Sequence, residues 1–181
     1  MRGYFAFLIV FAAFALLISL AELNLSSKSH NLSAAITAEK FYRTQMNVKE
    51  VLIEAARQGA AGGFDAYAAT HNEAACLAGD AAHCFSSRDA ENAAGLAAIA
   101  KMQLVIAGAD FDGVDVEVQF GADSAQAHVE PDSASPSGWR LSGVDLSSIS
   151  IKAASENNAA VGVTVDMPRI KVDADAGASY P

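Results

Sequence analysis

The side chains best suited to acid–base catalysis are four histidines, and they are scattered along the chain. Histidine titrates near neutral pH and acts as a base or ligand only where other polar groups converge on it. The chain contains no G-x-S-x-G, no H-E-x-x-H and no glycine-rich phosphate loop followed by lysine. We therefore predict a protein that is not an enzyme and needs no cofactor. The enzymatic alternative is a hydrolase with a polar pocket around His71 or His128.

The two cysteines of the chain, Cys76 and Cys84, form a closer pair. In an oxidising compartment two cysteines this near in sequence pair with each other. Closing such a short loop would stabilise the fold by about 2–3 kcal/mol in the chain-entropy model. One alternative is a metal site built from His71, Cys76, His83 and Cys84, but this spacing matches no recognised ligand pattern. Two free buried thiols are another. We predict a disulfide and no metal.

An apolar run from Tyr4 to Ala21 lies at the start of the chain, between Arg2 and Glu22, and carries no charge. A helix needs about 20 such residues to cross the hydrocarbon core of a bilayer. The run predicts a single-pass membrane protein whose lipid partner holds the N-terminus in the cytoplasm and the rest outside. A secretory signal peptide cleaved after Ala21 is an alternative, as is removal of a short leader after Gly3.

Helical periodicity continues beyond this run. One apolar face recurs at three- and four-residue spacing, and the cluster Gly59, Gly62 and Gly63 is predicted to end the helix. If it is unbroken from Tyr4 to Gly59, it is about 84 Å long. The face consists of Ala34, Ala38, Phe41, Gln45, Val48, Leu52 and Ala55.

A second helix is predicted from Arg88 to Ala107, with Ser86 or Ser87 as its N-cap and Gly108 as its end. From Phe111 onward the period changes to two, which is typical of half-buried strands. We predict an α+β fold. It has a long N-terminal helix, transmembrane and then amphipathic, and a second helix packed on a mostly antiparallel C-terminal sheet of about four strands. The apolar side predicted for the second helix is Leu96, Ile99, Ala100, Gln103, Leu104 and Ala107.

The chain resembles an archaeal type IV pilin-like protein with a class III signal peptide. Arg2-Gly3, the run Tyr4–Ala21, the long helix after it and the β-rich C-terminal part carry the resemblance. It implies cleavage by a prepilin peptidase after Gly3, which leaves Tyr4 as the first residue. It also implies self-association through the N-terminal helix. Leu8 stands where many type IV pilins have a glutamate.

Composition excludes one class of partner. The net charge of −9 argues against nucleic-acid binding, which needs a basic surface. Two N-x-S triplets, at Asn24 and Asn31, are possible glycosylation sites in an exported chain. The predicted segments are a leader and transmembrane helix (1–23), an extended amphipathic helix (24–60), a disulfide loop and second helix (61–109), an antiparallel sheet (110–176) and a tail (177–181).

These patterns together predict a non-enzymatic cell-surface structural subunit, pilin-like or pseudopilin-like, that is anchored or assembled through its N-terminal helix. The alternative is an extracytoplasmic binding domain, anchored by one span or secreted, that does not polymerise.

Overall fold

The computed structural model describes residues 2–71, 84–135, 137–155, 158–174 and 177–179. Internal contacts divide the chain into two compact units, Met1–Tyr42 and Arg43–Pro181. The first helix, α1, spans Arg2–Thr70 and so contributes to both units. The first unit is this helix alone. The second contains the rest of α1, a second helix and all the strands.

Helix α1 continues past the glycines that were predicted to end it, and it stops only at Thr70. Within the second unit its buried side chains keep the predicted spacing, since Val48, Leu52 and Ala55 are all buried. The reason for the longer helix is a close contact. A Cβ atom built on Gly63 would lie 2.5 Å from the Cβ of Ala97 on the second helix. Packing of this kind offsets the low helix propensity of glycine, about 1 kcal/mol per residue.

Helix α2 spans Ser87–Ala107, with Ser86 as its N-cap and Gly108 as its C-cap, as predicted. The hydroxyl of Ser86 accepts a hydrogen bond from the backbone N–H of Asp89. The predicted apolar side, however, is wrong: Leu96 and Leu104 are 70% and 67% exposed. The helix instead buries its smallest side chains, because α1 and a neighbouring strand approach too closely for leucine. The buried residues of α2 are Ala90, Ala94, Gly95, Ala98 and Met102.

In the part of the chain that the structure describes, seven strands form two antiparallel sheets. One sheet has the order β1-β4-β5 and the other the order β2-β3-β6-β7. The predicted single sheet of about four strands is therefore wrong. The strands are β1 (Val114–Phe120), β2 (Ala125–Pro131), β3 (Trp139–Leu146), β4 (Ile149–Ser155), β5 (Asn158–Asp166), β6 (Ile170–Asp173) and β7 (Gly177–Ser179).

Three short connections carry the chain from one sheet to the other, at residues 121–124, 147–148 and 167–169. Hydrogen bonds join these corners to one another or to the adjoining strand. The N–H of Gly121 donates to the carbonyl of Ser148 at 2.9 Å, and the N–H of Met167 donates to that of Ile149 at 2.7 Å. The three connections therefore lie next to one another, joined at residues 148 and 149. Pro168 lies in the third of these corners.

Both helices and both sheets share one hydrophobic core within the second unit. Much of its volume comes from alanine and valine, because the helices contribute small side chains. The largest fully buried apolar residues are Leu52, Met102, Leu146, Ile149, Ile170, Val48, Val144 and Val172.

Among the described residues, no helix is both long enough and apolar enough to cross a bilayer. The predicted transmembrane helix is therefore wrong. The predicted localisation, a single-pass membrane protein with a cytoplasmic N-terminus and an extracytoplasmic domain, is wrong with it. Between residues 34 and 70 of α1, eight charged side chains occur, so this part of the helix is not apolar. Each charge at the centre of a bilayer costs about 2.5–3.5 kcal/mol on insertion scales.

Candidate functional site

An open groove of about 380 Å³ lies between α2 and β2. Its walls combine apolar surface from α2 with the polar side chains of β2 and of the corner before it. The lining residues that matter chemically are Glu91, Asn92, Leu96, Asp123, Gln126 and His128.

The absence of a side chain at Gly95 brings the two walls of the groove together. A Cβ atom at Gly95 would lie 2.9 Å from the carbonyl oxygen of Ala125, so only glycine allows α2 to approach β2 this closely. One turn earlier, the Oε1 atom of Glu91 accepts a hydrogen bond from the N–H of Val129 at 3.3 Å. The helix therefore covers this edge of the sheet and satisfies one of its backbone donors.

A β-bulge sets the position of His128. The register between β2 and β3 shifts after His128, and Ser142 of β3 is the extra residue. The hydroxyl of Ser142 donates to the backbone carbonyl of His128 at 3.1 Å. His128 is thus held by its backbone, and its ring is half exposed at the groove.

The ring of His128 lies beside a charged pair, Asp145 of β3 and Arg169 of the third corner. Its Nε2 atom lies 3.5 Å from Oδ2 of Asp145, and the same oxygen accepts a hydrogen bond from Arg169 at 2.6 Å. Burial acts to raise the pKa of Asp145. The hydrogen bond from Arg169 and the charge of protonated His128 outweigh that effect and hold this pKa below its usual value. The carboxylate is therefore ionised at neutral pH and orients both partners.

This geometry suits binding better than nucleophilic chemistry. A histidine oriented by a carboxylate supplies two of the three members of a hydrolase triad. The third is a nucleophile, and the groove lining contains no serine, threonine or cysteine. The side chains of Glu91, Asp123 and His128 instead form a rim that is negative when the histidine is neutral. Such a rim favours a cationic group, and Leu96 and Ile99 offer apolar contact beside it.

An aromatic cluster lies at the C-terminal end of α1. The rings of Tyr67 and His71 stack at 4.1 Å, and those of Phe85 and Trp139 stack at 5.6 Å. The N–H of Ser86 donates to the hydroxyl of Tyr67 at 3.2 Å. His71, which the hydrolase and metal-site alternatives both included, thus packs its ring against Tyr67 at the end of α1.

The other predicted site residues fall in different parts of the chain. Cys84 is disulfide-bonded. Cys76 and His83 lie outside the described residues, so the pairing of Cys76 with Cys84 stays a prediction. Within the described ranges, no group of three or more histidine, cysteine or acidic side chains could hold a metal ion. The predicted processing residues Gly3 and Tyr4 and the predicted glycosylation sites Asn24 and Asn31 all lie within α1.

Sequence reasoning singled out His128 but missed its partners. Asp145 and Arg169 follow it by 17 and 41 positions and come from β3 and from the corner between β5 and β6. No local spacing could have identified them, because sheet pairing alone brings them together. The available signal was the alternation around Asp145, which places a charge next to buried Val144 and Leu146.

The chain was compared with family models, curated proteins and solved structures, and none of them matches it.

Proposed function

We propose that this protein is a non-enzymatic structural subunit, pilin-like in organisation, that assembles with copies of itself through the N-terminal part of α1. One observation supports the proposal most directly. Residues Met1–Tyr42 form a unit of their own, distinct from the unit that contains the sheets and the second helix. A helical segment of this length that forms a compact unit of its own is suited to packing against other chains.

The sequence of that segment gives the driving force. The run Tyr4–Ala21 has no charged residue, and a helix that is apolar on every face must bury its surface against a partner. Five alanines, at positions 6, 12, 13, 15 and 21, would allow neighbouring helices to approach closely. Each fully buried large side chain would contribute about 1.5–3 kcal/mol.

Maturation of the N-terminus tests the pilin-like character separately. If a prepilin peptidase removes Met1-Arg2-Gly3, the intact mass of the protein from its native source corresponds to a chain that begins at Tyr4. A chain that begins at Glu22 supports a secreted protein instead. A chain that retains Met1 contradicts processing altogether.

Electron microscopy of the full chain tests assembly. We expect elongated assemblies for the native protein and for Ala35→Glu, which adds a charge at an exposed position of α1. We expect none for Phe11→Glu, which places the same charge within the apolar run. Circular dichroism on both variants confirms that the helix still forms. Dispersed single particles for the native chain, or assemblies unchanged by Phe11→Glu, contradict the proposal.

A second candidate is a binding domain that does not polymerise, and the groove between α2 and β2 favours it. The rim chemistry predicts a ligand with a cationic group. Calorimetric titration with a tri-lysine peptide tests this, with Asp123→Asn as the variant at the rim and Asp115→Asn as the control of equal charge on β1. Binding that Asp123→Asn weakens and Asp115→Asn retains supports this candidate. Equal weakening by both substitutions indicates only non-specific attraction.

A further inference from the structure

Each sheet has two edge strands, and three of these four described edges are protected against pairing with another chain. The edge of β1 carries exposed acids, Asp115 and Glu117, and charged side chains on an edge discourage a further strand. The edge of β2 is covered by α2 through Gly95 and Glu91. Strand β7 is only three residues long. These devices are the usual ways in which proteins prevent edge-to-edge association.

The fourth edge, β5, is less protected between residues 162 and 166, where its single charged residue, Asp166, lies at the end of the stretch. All five of these residues are exposed, and Val163 and Val165 are each 43% exposed. The side chains of Val163 and Val165 share a face of the sheet with their buried β4 partners Ala153 and Ile151. Apolar surface therefore continues from the core to the open edge of the sheet.

Backbone geometry leaves hydrogen-bonding groups at this edge. The bond from the N–H of Met167 to the carbonyl of Ile149 fixes which residues of β5 direct their backbone groups toward β4. By the alternation of an antiparallel ladder, Gly162 and Thr164 direct theirs away from the sheet. Gln45 on α1 donates its Nε2 hydrogen to the carbonyl of Val163 at 3.1 Å, which holds β5 in place. The edge is thus a fixed strand that offers donors and acceptors to another strand.

We propose that the β5 edge binds the β5 edge of a second copy of this chain, as an antiparallel strand pair. The charge pattern favours a copy as the partner. Asp166 is the only charged residue between 162 and 166. If the two strands pair about Gly162 or Thr164, their Asp166 carboxylates lie about 13 Å or more apart, at opposite ends of the ladder. That separation exceeds the Debye length of about 8 Å at physiological salt.

The paired edges also place apolar side chains together. Val163 and Val165 of one copy would lie on the same face of the joined sheet as those of the other, and both pairs would lose their exposure to water. This contact is separate from assembly through α1 and does not depend on it. The two together would give each subunit one association surface on the helix and another on the sheet.

Cysteine cross-linking in the full chain tests the strand pair. Variants with a single cysteine at one position from 162 to 166 are oxidised mildly and run on a non-reducing gel, with Leu104→Cys, at a more exposed position on α2, as the control. A two-fold strand pair brings one residue of β5 next to its own copy. We therefore expect dimer yield to peak at one position, or at two neighbouring ones, and to exceed that of Leu104→Cys several-fold.

Two further sets of variants, in which each cysteine substitution is combined with a second change, complete the test. Adding Val163→Lys, or Val165→Lys where residue 163 is itself the cysteine, should reduce the dimer to the level of Leu104→Cys, because the lysine replaces an apolar contact of the pair with a charge, and charges on an edge strand discourage pairing. Adding Phe11→Glu should leave the dimer in place, which separates this contact from assembly through α1. A flat profile at the control level overturns the strand pair, even if the native chain forms filaments. A peak that the lysine substitutions do not reduce also overturns it.

Discussion

A Cβ atom built on Gly59 would lie 2.6 Å from the carbonyl oxygen of Ala97, so α1 and α2 pack at a separation that only glycine permits. Gly63 lies one turn further along the same face and is equally close to α2. The three glycines near this point of α1 are therefore not equivalent. Two are required by the packing between helices, whereas Gly62 has no neighbour within 4 Å of the position its Cβ would occupy.

Alanine substitution of these glycines should give effects of opposite sign. Gly59→Ala and Gly63→Ala should each lower the free energy of unfolding by about 1–3 kcal/mol, because the added methyl group overlaps α2. Gly62→Ala should raise it by up to about 1 kcal/mol, since alanine is the better helix former and meets nothing. Urea unfolding followed by circular dichroism measures all three. Stabilisation by all three substitutions would mean that the helices do not pack this closely.

The orientation of α2 can be tested with one buried and one exposed residue. Met102 is fully buried and Leu104 is 67% exposed. Met102→Ala should therefore lower the free energy of unfolding by about 2–5 kcal/mol, through lost contacts and a cavity. Leu104→Ala should change it by less than about 0.5 kcal/mol. If the larger loss came from Leu104→Ala, the helix would face the core with its leucines, as its sequence alone predicts.

Ser124 joins two of the corners where the chain passes between sheets. It is fully buried, and its hydroxyl donates to the carbonyl of Gly121 at 2.8 Å. Ser124→Ala should lower the free energy of unfolding by about 1 kcal/mol, because the fold loses the hydrogen bond that a fully buried hydroxyl makes. Ser147→Ala serves as the control, since its bond to the carbonyl of Asp123 is exposed and water can replace it. Equal effects of the two substitutions, measured by denaturant unfolding, would argue against a buried corner.

Asp145 should make stability depend on pH. Its pKa is lower in the folded chain than in the unfolded chain, so it contributes stability above its ordinary value near 4. That contribution is lost as the pH falls through the folded pKa. Asp145→Asn should therefore be less stable than the native chain at pH 7, and the gap between them should close below about pH 4.

Unfolding curves collected from pH 7 to pH 2 measure this gap. In an Arg169→Gln background, the difference in stability that Asp145→Asn makes at pH 7 should be smaller, since Arg169 donates the hydrogen bond that lowers the pKa of Asp145. Asp115→Asn, an exposed change of the same charge, should leave the pH dependence of the native chain largely unaltered. A gap that stayed constant down to pH 2 would show that Asp145 is not ionised in the network.

Local signals predicted the elements of this fold better than their packing. The Ser86 cap, the Gly108 end of α2 and the alternation that begins at Val114 were all readable, because each depends on residues within a few positions. The face of α2 was not readable. Hydrophobicity favoured Leu96 and Leu104, whereas the close approach of Gly59, Gly63 and the β2 edge selects alanine and glycine for the buried side.

The two-sheet arrangement and the charged network were also beyond local signals. No local pattern marked the corners near Ser124 and Ser148 as places where the chain passes between sheets, and only the hydrogen bonds between them show it. His128, Asp145 and Arg169 lie in separate elements, so their proximity depends on register. The predicted membrane span was wrong for a different reason. An apolar run by itself does not specify whether a long helix crosses a bilayer or packs against protein.

Sedimentation velocity of the full chain over a range of concentrations tests the central claim, assembly through the N-terminal part of α1, most directly. The account predicts sedimentation coefficients that rise with concentration, beyond that of a dimer, for the native chain and for Ala35→Glu, and coefficients no larger than that of a dimer for Phe11→Glu at every concentration. A native chain that never exceeds a dimer, or a Phe11→Glu chain that assembles as the native one does, would contradict it.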